Sequence, residues 1–405
     1  MTVYRVPRSG EGVALAFPEW LPASAPLAAL GPAELARALD RIHQATARPS
    51  GRGGVAYDHS PGTTFKHLLA QAARWSRRGT PEAVTLPAPY DLAAKLPRGA
   101  PLRMRPPASY MAPPAEVPAG WVLAELDVNS CFASAATGTE FGLGEAKHAK
   151  AAAGRSLELP ESPRLPGAHL VMVRGAREVS VHPSLAPFIP AEGRRRDAIG
   201  WIDALAARWL AERGVPLEVL ESWTWAERAR VFDSATSRLG EARARLEADG
   251  TPPARAAAAI VKAMANTVLG GWLASDFGGA RADDDWLARR DWWLTVRVQA
   301  EVRKQRNLLP ALESGALVVL GEQAVDSVYV AAPTLEALTS APGTGGRPAL
   351  GDGRGKFKIK ALGEVTPELA AALADPRFSG LQRLAAIQAT LGPAEGEPGT
   401  TQTGK

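Results

Sequence analysis

Three short segments of this 405-residue chain carry residue types suited to phosphoryl transfer. Asp127 ends an apolar stretch that alternates as a strand does, Lys262 and Asn266 lie in an Ala-rich stretch, and Asp326 lies between two apolar runs. Phosphoryl transfer onto a growing strand requires carboxylates that hold divalent cations and positive groups that bind a triphosphate. The three segments contain the minimum set of groups for that chemistry.

The order and separation of the segments add to this interpretation. Lys262 follows Asp127 by 135 residues, and Asp326 follows Lys262 by 64. Helical spacing places Lys262, Asn266 and Arg255 on one helix face. Alone, each segment is more often structural: a turn after a strand, a solvated helix face or a β-hairpin. Their collinear arrangement favours a shared function.

The three segments resemble the motifs of family B DNA polymerases, most closely those of the compact protein-primed phage enzymes. Residues Asp127 to Ser134, DVNSCFAS, resemble motif A, Asp-x-x-Ser-Leu-Tyr-Pro-Ser. Residues Lys262 to Gly270 resemble motif B, Lys-x-x-x-Asn-Ser-x-Tyr-Gly. Residues Glu322 to Ser327 resemble motif C, Tyr-x-Asp-Thr-Asp-Ser, with Ala324 in place of the first aspartate. The resemblance covers roughly residues 121 to 360.

The resemblance implies a role for each matching residue. Asp127 and Asp326, with the backbone of Val128, would hold two Mg²⁺ ions, or Mn²⁺ in their place. Nucleotide contacts are implied for Lys262, Asn266, Arg243, Arg245, Arg255, Ser130, Cys131 and Phe132. DNA contacts are implied for Lys356, Lys358 and Ser327.

The elements that must position these residues indicate an α+β fold. We expect a polymerase palm, in which helices pack on an antiparallel sheet, with helical fingers and a small helical N-terminal domain. The segments with a helical pattern are 33–47, 64–78, 199–246 around a break at 214–216, 255–273 and 286–312. The extended segments are 122–128, 215–225 and the strand–turn–strand 316–330.

Composition shifts and motif positions predict six regions. They are an N-terminal mainly helical domain with a Pro-rich linker (1–118), a first palm part with motif A (119–195), fingers with motif B (196–275), a second palm part with motif C (276–365), a short thumb-like helical segment (366–391) and a disordered tail (392–405).

The composition and charge of the chain indicate its cellular compartment and the kind of partner that it can bind. The single cysteine, Cys131, excludes an internal disulfide and a Cys-based zinc site. The sequence shows no leader pattern and no long apolar run, so we expect a cytoplasmic protein without membrane contact. The net charge of +5 and pI near 9.4 are compatible with a polyanionic partner.

The resulting hypothesis is a DNA-templated DNA polymerase that replicates a phage-like or mobile element. Residues 1–118 carry no Asp-x-Glu strand typical of the proofreading exonuclease, so we expect synthesis without proofreading. The expected partners are primer-template or single-stranded DNA, deoxynucleoside triphosphates and a terminal protein that serves as primer. Two alternatives stay open: a catalytically impaired descendant that binds DNA or a replication partner, and a primase or terminal transferase built on the same palm.

Overall fold

The computed structural model describes most of the chain, and its strands and helices form two compact units. The described residues are 2–5, 12–15, 31–46, 64–65, 68–69, 110–160, 165–179, 182–190, 196–270, 289–339, 350–351 and 353–393. The first unit comprises 1–95, 136–145 and 227–293, and the second comprises 96–135, 146–226 and 294–405. The domain boundaries given above stay a prediction.

The strands are β1 (Thr2–Arg5), β2 (Gly12–Leu15), β3 (Tyr110–Met111), β4 (Val122–Val128), β5 (Phe141–Gly142), β6 (Lys147–Lys150), β7 (Gly167–Val173), β8 (Ala198–Asp203), β9 (Leu217–Thr224), β10 (Arg228–Ala229), β11 (Val318–Ala324), β12 (Ser327–Ala332), β13 (Phe357–Glu364) and β14 (Gly392–Pro393). The helices are α1 (Pro32–Thr46), α2 (Cys131–Ala136), α3 (Ala176–Val179), α4 (Ala204–Glu212), α5 (Asp233–Asp249), α6 (Pro252–Gly270), α7 (Arg290–Glu313), α8 (Leu335–Thr339), α9 (Pro367–Ala374) and α10 (Gly380–Thr390), with a 3-10 turn at Ala186–Phe188.

A six-stranded antiparallel sheet is the centre of the second unit. Its strand order is β14-β13-β4-β12-β11-β3, so β4 lies between β13 and β12 and has hydrogen-bonded partners on both sides. The strand predicted at 122–128 is confirmed, and its buried positions include both Leu123 and Leu126, which face opposite sides of the sheet. Burial on both faces is typical of a strand in the middle of a covered sheet.

Helices cover both faces of this sheet. On the face of Leu123, Tyr329 packs in an apolar cluster with Leu369 of α9 and Ile387 of α10. On the opposite face, Glu322 of β11 meets α7 through side-chain hydrogen bonds. The helical segment predicted at 366–391 therefore contains α9 and α10, which close one side of the core.

The second unit also contains a four-stranded antiparallel sheet with the order β6-β9-β7-β8. The helical pattern predicted from Ile199 is wrong over its first residues, which form strand β8. The physical reason is the cap: Asp203 is extended, and its carboxylate accepts a hydrogen bond from the backbone N–H of Leu205, so α4 begins only at Ala204. Strand β9 confirms the extended segment predicted at 215–225.

The first unit is built on α1, α5 and α6. Apolar side chains of these helices are fully buried, among them Leu39 of α1 and Ile260 of α6. Arg238 of α5 donates two hydrogen bonds, of 2.9 and 2.7 Å, to the carbonyl oxygen of Thr46 at the end of α1. Unpaired carbonyls at a helix C-terminus favour such a cation, so this bond stabilises the packing of α5 on α1.

The remaining predicted segments fit the structure where it describes them. Helices α1, α6 and α7 agree with the segments predicted at 33–47, 255–273 and 286–312 over the residues that the structure describes. Residues 47, 271–273 and 286–288 of these segments lie outside the described residues. Most of the segment 64–78 lies outside the described residues. The disordered tail predicted from residue 392 is wrong at its first two residues, which pair with β13, and 394–405 lie outside the described residues.

A buried ionic cluster joins α7 to β11. Lys304 Nζ lies 2.8 Å from Glu322 Oε2 and 3.0 Å from Glu301 Oε2, and all three side chains are at most 2% exposed. Gln305 Nε2 donates to both glutamates. Burial and the charge of Glu322 raise the pKa of Glu301 to about 8, against the opposing effect of Lys304. At neutral pH Glu301 therefore holds a proton, and the cluster is close to neutral.

In the described residues, none of the helices combines the length and the apolar character required to cross a membrane.

Lys304→Met is expected to lower the free energy of unfolding by about 3–5 kcal/mol, because it leaves the buried carboxylate of Glu322 without its cation. Urea unfolding measures this loss. Lys150→Met is the matched control: Lys150 Nζ lies 2.6 Å from Glu221, but the lysine is 69% exposed, so its loss is expected to cost under about 1 kcal/mol. Equal losses in the two variants would contradict the assigned role of Lys304.

Glu301 makes stability depend on pH in a defined interval. Because the folded protein binds this proton more tightly than the unfolded chain does, stability falls as the pH rises from 4.5 to about 8 and then levels off. Glu301→Gln has no titrating group at this position, so its free energy of unfolding does not fall with this proton. The difference between variant and parent is therefore expected to shift in favour of the variant as the pH rises through the same interval. Denaturant titrations at several pH values test this, and parallel pH profiles would contradict it.

Candidate active site

Strand pairing brings the two predicted metal-binding aspartates to the same end of the central sheet. Asp127 is directly opposite Ser327 in the β4–β12 register. Asp326 is the second residue of the two-residue turn between β11 and β12, and its carbonyl oxygen accepts a 2.8 Å hydrogen bond from the N–H of Val128. This backbone hydrogen bond thus joins Asp326 to the residue that follows Asp127.

The turn after Asp127 has a strained conformation. Ser130 has φ of 50°, in the left-handed region that residues other than glycine seldom adopt. Its carbonyl oxygen accepts a 2.7 Å hydrogen bond from Ser134 N–H, which starts α2 directly after the turn. Asn129 continues the hydrogen bonding, as its N–H donates to the carbonyl oxygen of Lys356 at 2.9 Å.

A glycine-rich turn, described at residues 350–351 and 353–356, holds the strained turn through hydrogen bonds. Gly355 N–H donates to the carbonyl oxygen of Asn129 at 2.8 Å, and the Asn129 side chain donates to the carbonyl oxygen of Gly351 at 3.0 Å. Arg354 donates to the carbonyl oxygen of Ala133 in α2. These bonds fix the backbone between Asp127 and α2 to the segment that precedes β13.

Positive side chains of β13 face the carboxylates of β4. Lys358 is opposite Asp127 in the register, with its Nζ 3.8 Å from Asp127 Oδ2. Lys360 Nζ lies 2.7 Å from Glu125 Oε1. Burial lowers the pKa of Lys360, but the hydrogen bond and the charge of Glu125 outweigh it, and the net pKa is raised. Lys360 is therefore charged at any physiological pH.

Two residues of α2 and one of α7 complete the surroundings of Asp326. Burial raises the pKa of the Cys131 thiol, and the negative charge of Asp326 raises it further, so this cysteine stays protonated. Arg297 lies over the ring of Phe132, with its guanidinium carbon 5.2 Å from the ring centroid. Burial lowers the pKa of Arg297, and Asp326 opposes that shift. A partly buried guanidinium thus interacts with Asp326 from the side of α7.

The residues predicted to bind the triphosphate lie in the first unit, on α5 and α6. Lys262 and Asn266 are both exposed and lie one turn apart on α6, as predicted. Arg255 donates to the carbonyl oxygen of Gly250. Arg243 donates to Glu247, and Arg245 donates to the carbonyl oxygen of Ala45 at the end of α1, so both have local structural partners.

Some contacts at the site were outside the sequence prediction. Lys360, Arg297 and Arg354 contact residues of β4 and α2 that are far away in sequence, and no local pattern marks these partners. A partial signal existed for Glu125, because strand alternation places it on the face of Asp127. The part of the chain that the structure describes contains no group of three or more His, Cys, Asp or Glu side chains arranged to hold a metal ion.

The likeness to known proteins is structural. No protein-family model matches the sequence, and no curated protein sequence matches it significantly. Phi29 DNA polymerase complexed with primer-template DNA and incoming nucleotide substrates matches with a TM-score of 0.51 and 10% identity, over 76% of this chain and 53% of that chain. The same polymerase complexed with single-stranded DNA gives a TM-score of 0.49 over the same shares.

This likeness shows the fold. The chain has a polymerase-like α+β fold with antiparallel sheets and packed helices, as predicted from the sequence. It spans about half the length of the solved polymerase that it matches.

Gly355→Ala is expected to separate the glycine-rich turn from α2. Gly355 has φ of 78°, and a methyl group there would collide with Ser134 Oγ. The matched control is Gly214→Ala, where φ is 73° and nothing lies within 4 Å of the added carbon, so the backbone strain costs about 1–2 kcal/mol alone. Urea unfolding is expected to show a further loss of about 1–3 kcal/mol at Gly355. Equal losses in the two variants would show that the glycine-rich turn accommodates the methyl group with no loss of stability beyond the backbone strain.

Proposed function

We propose that the protein is a DNA-templated DNA polymerase similar to the compact family B enzymes of phages and mobile elements. The observation that supports this most directly is that Asp127 lies opposite Ser327, the residue after Asp326, in the β4–β12 register of a polymerase-like fold. Polymerisation by two metal ions uses carboxylates from separate strands in this way.

The proposed cations are Mg²⁺, with Mn²⁺ as a substitute, held by Asp127, Asp326 and the backbone carbonyl of Val128. Mg²⁺ is usually bound by one or two carboxylates together with substrate phosphates and water, and two aspartates fit that donor set. When bound, the ions would make the primer 3′-hydroxyl a better nucleophile and neutralise charge on the phosphates.

The chain's own residues would bind and orient the substrates. Lys262, with Arg243 or Arg245 and with Arg255, would bind the β- and γ-phosphates, and Asn266 would line the pocket of the new base pair. Phe132, whose ring is fixed by Arg297, would lie under the sugar and favour deoxynucleotides. The backbone at Ser130 and Cys131 would contact the triphosphate.

The DNA would be held by residues near the beginning of β13 and β12. Lys356 and Lys358 would bind the backbone of the duplex, and Ser327 would support the hairpin that carries Asp326. The proposed partners are primer-template or single-stranded DNA, deoxynucleoside triphosphates and a terminal protein as primer. The proposal includes no proofreading step, since residues 1–118 carry no Asp-x-Glu strand motif.

A second candidate is a polymerase-derived protein that binds DNA without synthesis. Ala324 favours it, because the family pattern has a carboxylate at that position of motif C. One carboxylate fewer weakens the field that attracts divalent cations. Lys358, 3.8 Å from Asp127, lowers the negative potential there further.

Asp127→Asn and Asp326→Asn are each expected to reduce primer extension more than about 100-fold, because each removes a charged ligand of the proposed cations. Nucleotide incorporation on a primed template with Mg²⁺ or Mn²⁺ measures this. Asp375→Asn is the control. Asp375 binds Arg377 in the loop before α10, so this variant is expected to leave incorporation unchanged.

The outcome distinguishes the two candidates. Incorporation by the parent that depends on both aspartates supports the polymerase. If the parent and all three variants bind DNA equally and none of them extends a primer, the DNA-binding protein without synthesis is the better description.

A further inference from the structure

Glu125 forms a hydrogen-bonded link across three strands beside the acid pair. Its carboxylate oxygen Oε1 accepts a bond from Ser327 Oγ of β12 at 2.9 Å and one from Lys360 Nζ of β13 at 2.7 Å. Glu125 itself lies in β4, two residues before Asp127 and on the same face of the sheet. One carboxylate therefore ties together the three strands that carry the site.

Ser327 connects this link to both aspartates. It is directly opposite Asp127 in the register and follows Asp326 in the chain. A hydroxyl held by Glu125 fixes the first residue of β12, and hence the end of the turn that positions Asp326. Two residues further along β12, Tyr329 lies directly opposite Glu125 in the register, and its hydroxyl accepts a bond from Gln388 of α10.

Lys360 reaches Glu125 from a β-bulge in β13. Lys358 and Ile359 pair with Asp127 and Leu126, but the next pair is Ala361 with Glu125, so Lys360 is the extra residue. Its ammonium group still contacts the carboxylate at 2.7 Å, although Ala361 occupies the opposite position. The charge of Lys360 compensates that of Glu125, so Glu125 is suited to hold its neighbours in place and is poorly suited to bind a free cation.

We propose that Glu125 is a positioning residue that aligns Asp326 with Asp127 through Ser327, in a chain whose motif C has Ala324 in place of a carboxylate. This inference rests on the proposed polymerase function. A loss of alignment raises the concentration of divalent cation that the acid pair requires, because correctly spaced carboxylates bind a cation more tightly than misaligned ones.

The test compares Glu125→Ala with Glu125→Gln in Mg²⁺ titrations of primer extension. Glu125→Ala removes the acceptor, and the Mg²⁺ concentration for half-maximal extension is expected to rise about 10-fold. Glu125→Gln keeps an acceptor for Ser327, so it is expected to restore most of the Mg²⁺ affinity. The KM for the incoming nucleotide is expected to change less than about 2-fold, because the triphosphate contacts proposed above lie elsewhere.

Glu364→Ala, which truncates an exposed glutamate at the far end of β13, is the control and is expected to leave the Mg²⁺ dependence unchanged. A merely structural role predicts a different result for Glu125→Ala. The amount of active protein then falls, but the Mg²⁺ concentration that the folded fraction requires stays the same. That result would overturn the inference.

Direct Mn²⁺ binding, followed by electron paramagnetic resonance, separates this inference from the polymerase proposal. If the parent extends no primer but binds Mn²⁺ in a manner lost in Asp127→Asn, the polymerase proposal fails, while weaker Mn²⁺ binding by Glu125→Ala still supports the positioning role. The positioning role is overturned if Glu125→Ala binds Mn²⁺ as the parent does. It is also overturned if Mn²⁺ binding by the parent does not depend on Asp127.

Discussion

The register of β4 against β12 is the constraint on which the rest of the site depends. Side chains alternate across a strand, so a slip of one residue would exchange Asp127 with Leu126 and place a carboxylate on the face covered by α7. Apolar side chains on both faces of β4 oppose such a slip, because each would lose its buried position. The apolar core of the sheet therefore determines where the acidic groups lie, although none of its residues is a candidate for chemistry.

Bringing two carboxylates together has an electrostatic cost, and the surrounding elements supply opposite charge. Lys358 lies beside Asp127, and Arg297 approaches Asp326 from α7. Beneath the sheet, Lys304 compensates Glu322 within a cluster that is fully buried. Isolated buried charges are unstable, so each of these pairs lets a charged group remain at a place that apolar packing alone would exclude. The charge pattern of the palm is thus distributed over β4, β13 and α7.

The sequence predicted those parts of the structure that depend on local pattern. Alternation over seven residues is enough to define β4, and the helical period is enough to define α6, with Lys262 and Asn266 on one exposed face. The helix predicted from Ile199 failed because the cap at Asp203 overrides the apolar period. The partners of Lys304, Lys360 and Arg297 depend on strand pairing and helix packing that only the folded chain defines. The motif resemblance grouped Asp127 with Asp326, which no local pattern could do, and in the structure Asp127 lies opposite Ser327, the residue after Asp326.

The position of β4 in the chain has a consequence for how the protein is made. Glu125 and Ser327 are bonded although 202 residues separate them, and the other neighbour of β4, β13, is later still. During synthesis, β4 leaves the ribosome long before either partner strand exists, with two unpaired backbone edges and apolar side chains on both faces. Sheets built from such distant segments fold slowly. Until translation is complete, the exposed edges of β4 therefore leave the nascent chain open to wrong strand pairing and aggregation.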